Sequence, residues 1–109
     1  SGPIHPRGLR PVMALNRTQI RFLRGLCHDL SPVVIVADKG LTANVRSEVE
    51  LALDSHELIK VKLRADREQR KAWVDDLADS TRAEVVQQIG QVVCLYRRHP
   101  EIPRIQLPR

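Results

Sequence analysis

The stretch from Val33 to Val49 constrains the fold most: it reads VVIV, then ADKG, then LTANVRSEV. Four consecutive β-branched residues, Val33 to Val36, suit a pleated, buried surface and predict a short interior strand. Thr42 is placed to cap the helix that follows, its hydroxyl accepting from an exposed backbone N–H. Ala37-Asp38-Lys39-Gly40 leaves room only for a tight strand-to-helix connection. Gly40 permits positive φ there. The helix start beyond it offers unpaired N–H donors and a partial positive charge, both suited to phosphate. Lys39 adds a mobile cation at the tip, and Arg46 follows one turn into the helix.

The chain has 109 residues, enough for one domain with a modest core. Aromatics are limited to Phe22, Trp73 and Tyr96, so the core must be built from Val, Leu, Ile and Ala. No apolar run approaches the roughly 20 residues of a membrane helix, and no export leader is visible. No membrane partner is therefore expected. The net charge of +5 is unevenly placed. Residues 1–47 hold seven Lys/Arg against two acids, residues 48–84 seven against ten, and residues 85–109 four against one. Basic ends around an acidic middle suggest a polyanion touched by one face. Cys27 and Cys94 match no metal spacing and are read as buried reduced thiols of a cytosolic protein.

Along the chain, residues 1–14 read as a disordered leader rich in proline and glycine. Met13 is a candidate natural start, with Ser1-Gly2 then opening an expression scar. A first helix is expected from Asn16 to about Asp29. Ile20, Leu23, Cys27 and Leu30 recur at helical steps, with Arg17, Arg21, Arg24 and His28 grouped on another side. Ser31-Pro32 closes it. A second helix runs from Thr42 to about His56, burying Val45, Val49, Ala52 and Leu53. Leu58 to Leu63 alternates Ile59, Val61 and Leu63 with Lys60 and Lys62, a strand with one wet face. Asp66 to Gln69 resembles a capping box opening a third helix that buries Trp73, Leu77 and Ala78. Glu84–Ile89, Gly90-Gln91 and Val92–Tyr96 form a hairpin with a type II′ turn that adds an antiparallel edge. The tail from Arg97, with prolines at 100, 103 and 108, reads as extended and irregular. The order is α-β-α-β-α-β-β in one compact α/β domain.

The stretches LRGLCHDLSPVVIVADKGLT, ALDSHELIKVKL, DREQRK, VVQQIGQVVCLYR and IQLPR, in this order, resemble bacterial YhbY-type proteins. These are the stand-alone form of the CRM domain (chloroplast RNA splicing and ribosome maturation). The resemblance runs from about Leu15 to the C-terminus. It implies a mixed four-stranded sheet with packed helices, similar to the C-terminal domain of translation initiation factor three. It also implies RNA binding, linked in bacteria to precursors of the large ribosomal subunit, in the cytoplasm. Family members carry a GxxG loop between the first strand and the second helix, likened to the RNA-clamping loop of KH domains. Here Ala37 stands where the first glycine would be, and Asp38 adds a negative charge beside the proposed phosphate site.

The candidate RNA-binding residues are thus Ala37, Asp38, Lys39, Gly40 and Thr42 at the turn, Arg17, Arg21 and Arg24 on the first helix, Arg46 on the second, and Lys60 and Lys62 on the second strand. Each has a plainer alternative: an ordinary turn, a solvated helix face, a wet strand face. Arg97, Arg98 and Arg104 are further candidates from the tail. Trp73 falls on a buried stripe, while Tyr96 reads either way. With few aromatics to stack bases, recognition is expected to rest on phosphates, 2′-hydroxyls and RNA shape. Ser55-His56-Glu57 does not form a triad from adjacent helical positions, and the histidines show no metal spacing. No enzyme activity, cofactor or small-molecule substrate is expected, and the chain is expected to act as a monomer. A module docking on a ribosomal protein or assembly factor is the alternative reading.

Overall fold

The structure is a computed structural model and describes residues 15–101, 103 and 105–108. The elements are α1 (Arg17–His28), β1 (Val34–Val36), α2 (Ala43–His56), β2 (Leu58–Leu63), α3 (Arg67–Thr81), β3 (Glu84–Ile89) and β4 (Val92–Tyr96). The expected element order and the mixed four-stranded sheet are both present. The expected leader and Arg104 lie outside the described residues.

Local chemistry sets the helix starts. Asn16 Oδ1 accepts the Gln19 N–H at 2.8 Å, and Gln19 Oε1 accepts the Asn16 N–H at 3.1 Å. Thr42 Oγ1 accepts the Val45 N–H at 3.1 Å, and Asp66 Oδ1 accepts the Gln69 N–H at 2.9 Å. Each cap satisfies an otherwise orphaned donor and contributes about 1 kcal/mol.

The sheet order is β1-β2-β4-β3, with β1 parallel to β2 and β4 antiparallel to both β2 and β3. One expectation is corrected. β1 is an edge strand, not an interior one: Val34 and Val36 are buried, but Ile35 is 52% exposed. The hairpin adds the expected antiparallel edge, with its second strand paired to β2 and its first strand outermost. Composition explains which strand goes inside. VVCLY is apolar and buries four of its five residues, whereas EVVQQI carries polar groups suited to the edge. Gly90 opens the two-residue loop at φ +57° while Gln91 stays at negative φ, as a type II′ turn requires.

Each sheet face has its own core. Val34, Val36, Ile59, Val61, Leu63, Val93 and Leu95 pack against Val49 and Leu53 of α2 and Val74 and Leu77 of α3. On the other face Leu23 and Cys27 of α1 pack over Leu58, Cys94 and Tyr96, with Val86 in the same cluster. Cys27 and Cys94 are joined in a disulfide, which corrects the expectation of reduced thiols. Packing α1 across β4 brings their Cα atoms to 6.6 Å, inside bridging range.

Among its described residues the tail lacks regular structure but is docked. Glu57, the C-cap of α2 at φ 65°, is fully buried. Its carboxylate accepts the N–H groups of His99 and Ile105, each at 2.7 Å. Ile105 and Leu107 pack against the α1-side core, and Gln19 Nε2 donates to the Pro108 carbonyl at 3.1 Å. Arg97 donates to the Glu50 and Asp54 carboxylates at 2.7 and 2.8 Å and to the Thr81 carbonyl at 2.9 Å. It therefore serves as an internal clamp, not as the phosphate contact suggested for it.

Candidate nucleic-acid interface

The turn after β1 is built by two short hydrogen bonds. The Gly40 N–H donates to the Ala37 carbonyl at 2.7 Å, and the Thr42 N–H donates to the Gly40 carbonyl at 3.0 Å. Gly40 adopts φ +70°, the left-handed region that favours glycine. The indole of Trp73 lies 3.6 Å from where a Cβ on Gly40 would stand, so the turn rests on α3. Ala37 is at negative φ, so alanine fits the backbone there without strain. Asp38 and Lys39 are exposed at the tip. The first turn of α2 carries no acid, and the N–H groups of Ala43 and Asn44 have no intrahelical acceptor.

α1 lies on the opposite sheet face, packed on β2 and β3. Arg17, Arg21 and Arg24 are exposed, and together with Ile20 they line a shallow groove. The turn and the arginine row therefore do not form one corner. What connects them is the open part of the α1-side face. Register places Ile35, two residues before the turn, beside Lys62, and Lys62 beside Val92. In the next row Lys60 stands beside Cys94, which is bonded to Cys27 of α1. Lys62 and Lys60 thus step from the turn toward the helix. Among the described residues, none of Arg17, Arg21, Arg24, Lys39, Lys60 and Lys62 is in an ion pair.

Arg46 differs. Its guanidinium forms a bidentate pair with Asp76 at 2.8 and 3.0 Å and also reaches Ser80 at 3.3 Å. That hydrogen bonding holds the Asp76 carboxyl below its usual range and raises Arg46 further. Arg46 ties α2 to α3 and is less available to a ligand than the six unpaired cations. Arg98 is exposed. Tyr96 is 1% exposed, with no hydrogen-bond partner for its hydroxyl among the described residues, so it is core and not a stacking platform. Trp73 is half-buried beneath the turn.

The family model for the CRS1 / YhbY (CRM) domain matches residues 15–97. The chain belongs to the CRM domain family. A protein of Haemophilus influenzae named as an RNA-binding protein is 47% identical over 99 residues, 90% of this chain and 99% of that one. One from Pseudomonas aeruginosa, named as a probable RNA-binding protein, is 46% identical over 90 residues, 82% of this chain and 86% of that one. The solution structure of a Staphylococcus aureus protein proposed to bind RNA superposes with a TM-score of 0.74 at 32% identity. That likeness covers 87% of this chain and all of the other. In this CRM domain the described residues hold no group of three or more His, Cys, Asp or Glu able to bind a metal ion. No helix among them is long and apolar enough to cross a membrane.

The residues that sequence reasoning missed are those beside the lysines on the open face: Gln87, Ile89 and Val92. Gln87 reaches this face only through a bulge in β3, for which the sequence carries no local signal.

Proposed function

We propose that the chain is an RNA-binding protein that engages ribosomal RNA in precursors of the large ribosomal subunit and assists their assembly. The observation that carries the reading is the strip of unpaired cations running from Lys39 through Lys62 and Lys60 to Arg24, Arg21 and Arg17. An uncompensated cationic strip on an open surface suits a sugar-phosphate chain, and family membership supports the same ligand class. The turn supplies backbone donors and Lys39, the two lysines bridge the sheet, and α1 holds the far end. Thr42 positions the α2 N-terminus through its cap. The protein works as a cytoplasmic monomer in this reading.

The test is binding to pre-ribosomal RNA. Lys39→Glu combined with Arg21→Glu lowers affinity at least tenfold while the far-UV spectrum and melting curve stay unchanged. Unchanged binding by the folded double variant removes the strip.

A second reading, docking on a ribosomal protein or assembly factor, is favoured by one observation. Phe22 and Leu26 of α1 and Leu30 just past its end are each about 40% exposed and follow one another at four-residue steps. Retention on pre-ribosomal particles that survives nuclease selects this reading, and loss with nuclease selects RNA.

A further inference from the structure

Beyond the C-terminal end of α1 the open sheet face sinks into a cleft of about 310 Å³, lined by Cys27, His28, Lys60, Gln87, Ile89, Val92 and Cys94. We infer that this cleft receives one unpaired base of the bound RNA. The inference rests on the RNA-binding reading and adds a base-recognising site to its phosphate-binding strip.

The bulge in β3 creates the site. Val86 packs in the α1-side core, so strict alternation would turn Gln87 to the opposite face. The register shift between Val85 and Gln87 instead sets Gln87 opposite Cys94, on the same side as Val86. Ile89 follows on that side, opposite Val92. A bulge that re-aims a polar side chain beside an open surface is a recurrent device at binding sites.

The lining has the chemistry of a base site. Ile89 is 65% exposed, and with Val92 and the disulfide it offers an apolar floor for a ring face. The Gln87 carboxamide is both donor and acceptor, which matches a base edge. Lys60 stands at the rim for the attached phosphate, and His28, whose Nδ1 is 3.7 Å from the Asp29 carboxylate, closes the other side. None of the lining residues is acidic, so the cleft suits an electron-rich ring on an anionic chain better than a cation. Its volume is at the small end of ligand clefts, which run from about 300 to 1,000 Å³. One ring system fits better than a whole cofactor.

The experiment uses the full chain. Adenosine, cytidine, guanosine and uridine 5′-monophosphates are titrated into ¹⁵N-labelled protein, and ten-nucleotide homopolymers are bound in parallel. Amide shifts centred on His28, Lys60, Gln87, Ile89 and Val92 with at least one nucleotide are expected, together with a preference of at least fivefold for one homopolymer. Gln87→Ala flattens that preference without changing the slope of binding against salt, because no phosphate contact is removed. Shifts confined to the turn and α1, or a preference untouched in folded Gln87→Ala and Ile89→Ser variants, overturn the base site and leave the cationic strip standing. Absence of RNA binding by the unmodified chain overturns both.

Discussion

Glu57 and Ile105, 48 residues apart in sequence, are joined by a 2.7 Å hydrogen bond from the Ile105 N–H to the buried Glu57 carboxylate. His99 donates its own N–H to the other carboxylate oxygen at 2.7 Å. A charged acceptor serving two backbone donors inside the protein stabilises more than neutral pairs do. Glu57→Ala should lower stability by roughly 2–4 kcal/mol in urea unfolding. It should also open the chain after Arg97 to limited proteolysis, which a role confined to capping α2 would not do.

The disulfide between Cys27 and Cys94 closes a sequence separation of 67 residues and holds α1 on β4. Chain-entropy arguments give such a loop a stabilisation of about 4–5 kcal/mol. Cys27→Ser with Cys94→Ser, or reductant added to the unmodified protein, should lower the melting temperature by more than about 10 °C. Identical melting with and without reductant would show that α1 docks by packing alone.

Tyr96 is the only tyrosine, and desolvation by burial raises its pKa, with the charge of Glu57 adding to the effect. A folded pKa above the unfolded value gives a contribution that is complete below the unfolded value near 10 and lost as pH rises through the folded one. Absorbance titration should therefore show one phenol ionising above its midpoint in urea, with stability falling across that interval. Because its hydroxyl is buried with no partner among the described residues, Tyr96→Phe should be neutral or stabilising. A marked loss of stability would reveal a hydrogen bond to that oxygen.

For the Arg46–Asp76 pair the sign is opposite. The hydrogen bond from Arg46 depresses the Asp76 pKa in the folded state, so its contribution is present above the unfolded carboxylate value and lost as pH falls through the folded one. Both groups are solvent-accessible, which keeps the effect small. The stability difference between wild type and Arg46→Gln should shrink toward zero as pH is lowered through that range. A difference that persists at low pH would mean that Arg46 acts through packing.

Salt tests the interface as a whole. Six unpaired cations on a single strand predict a slope of about −4 in a plot of log affinity against log salt concentration. Neutralising Lys60 and Lys62 together should reduce that slope by about one unit or more. An unchanged slope would take the sheet lysines out of the contact.

Much of the architecture was legible because it is written locally. Asn16, Thr42 and Asp66 mark the three helix starts by chemistry that acts over three residues. Gly40 and Gly90 mark the positive-φ turns. What escaped depends on residues distant in the chain. The insertion of β4 between β2 and β3 is decided by competition among strands for the interior, not by the hairpin itself. Arg46 is 30 residues from Asp76, and Arg97 is 47 from Glu50, so neither partner is visible in a local window. The Cys27–Cys94 bond needs both the helix position and the strand order. Of the candidate site, the cations were identifiable by type, but their separation on two sides of the sheet was not. Gln87 was invisible because alternation alone assigns it to the wrong face.

Trp73 is the chain's single tryptophan, and it lies directly beneath Gly40. The protein thus carries its own optical reporter at the ADKG turn. Intrinsic emission from unlabelled material can follow events at that position in real time, with no second indole to dilute the signal.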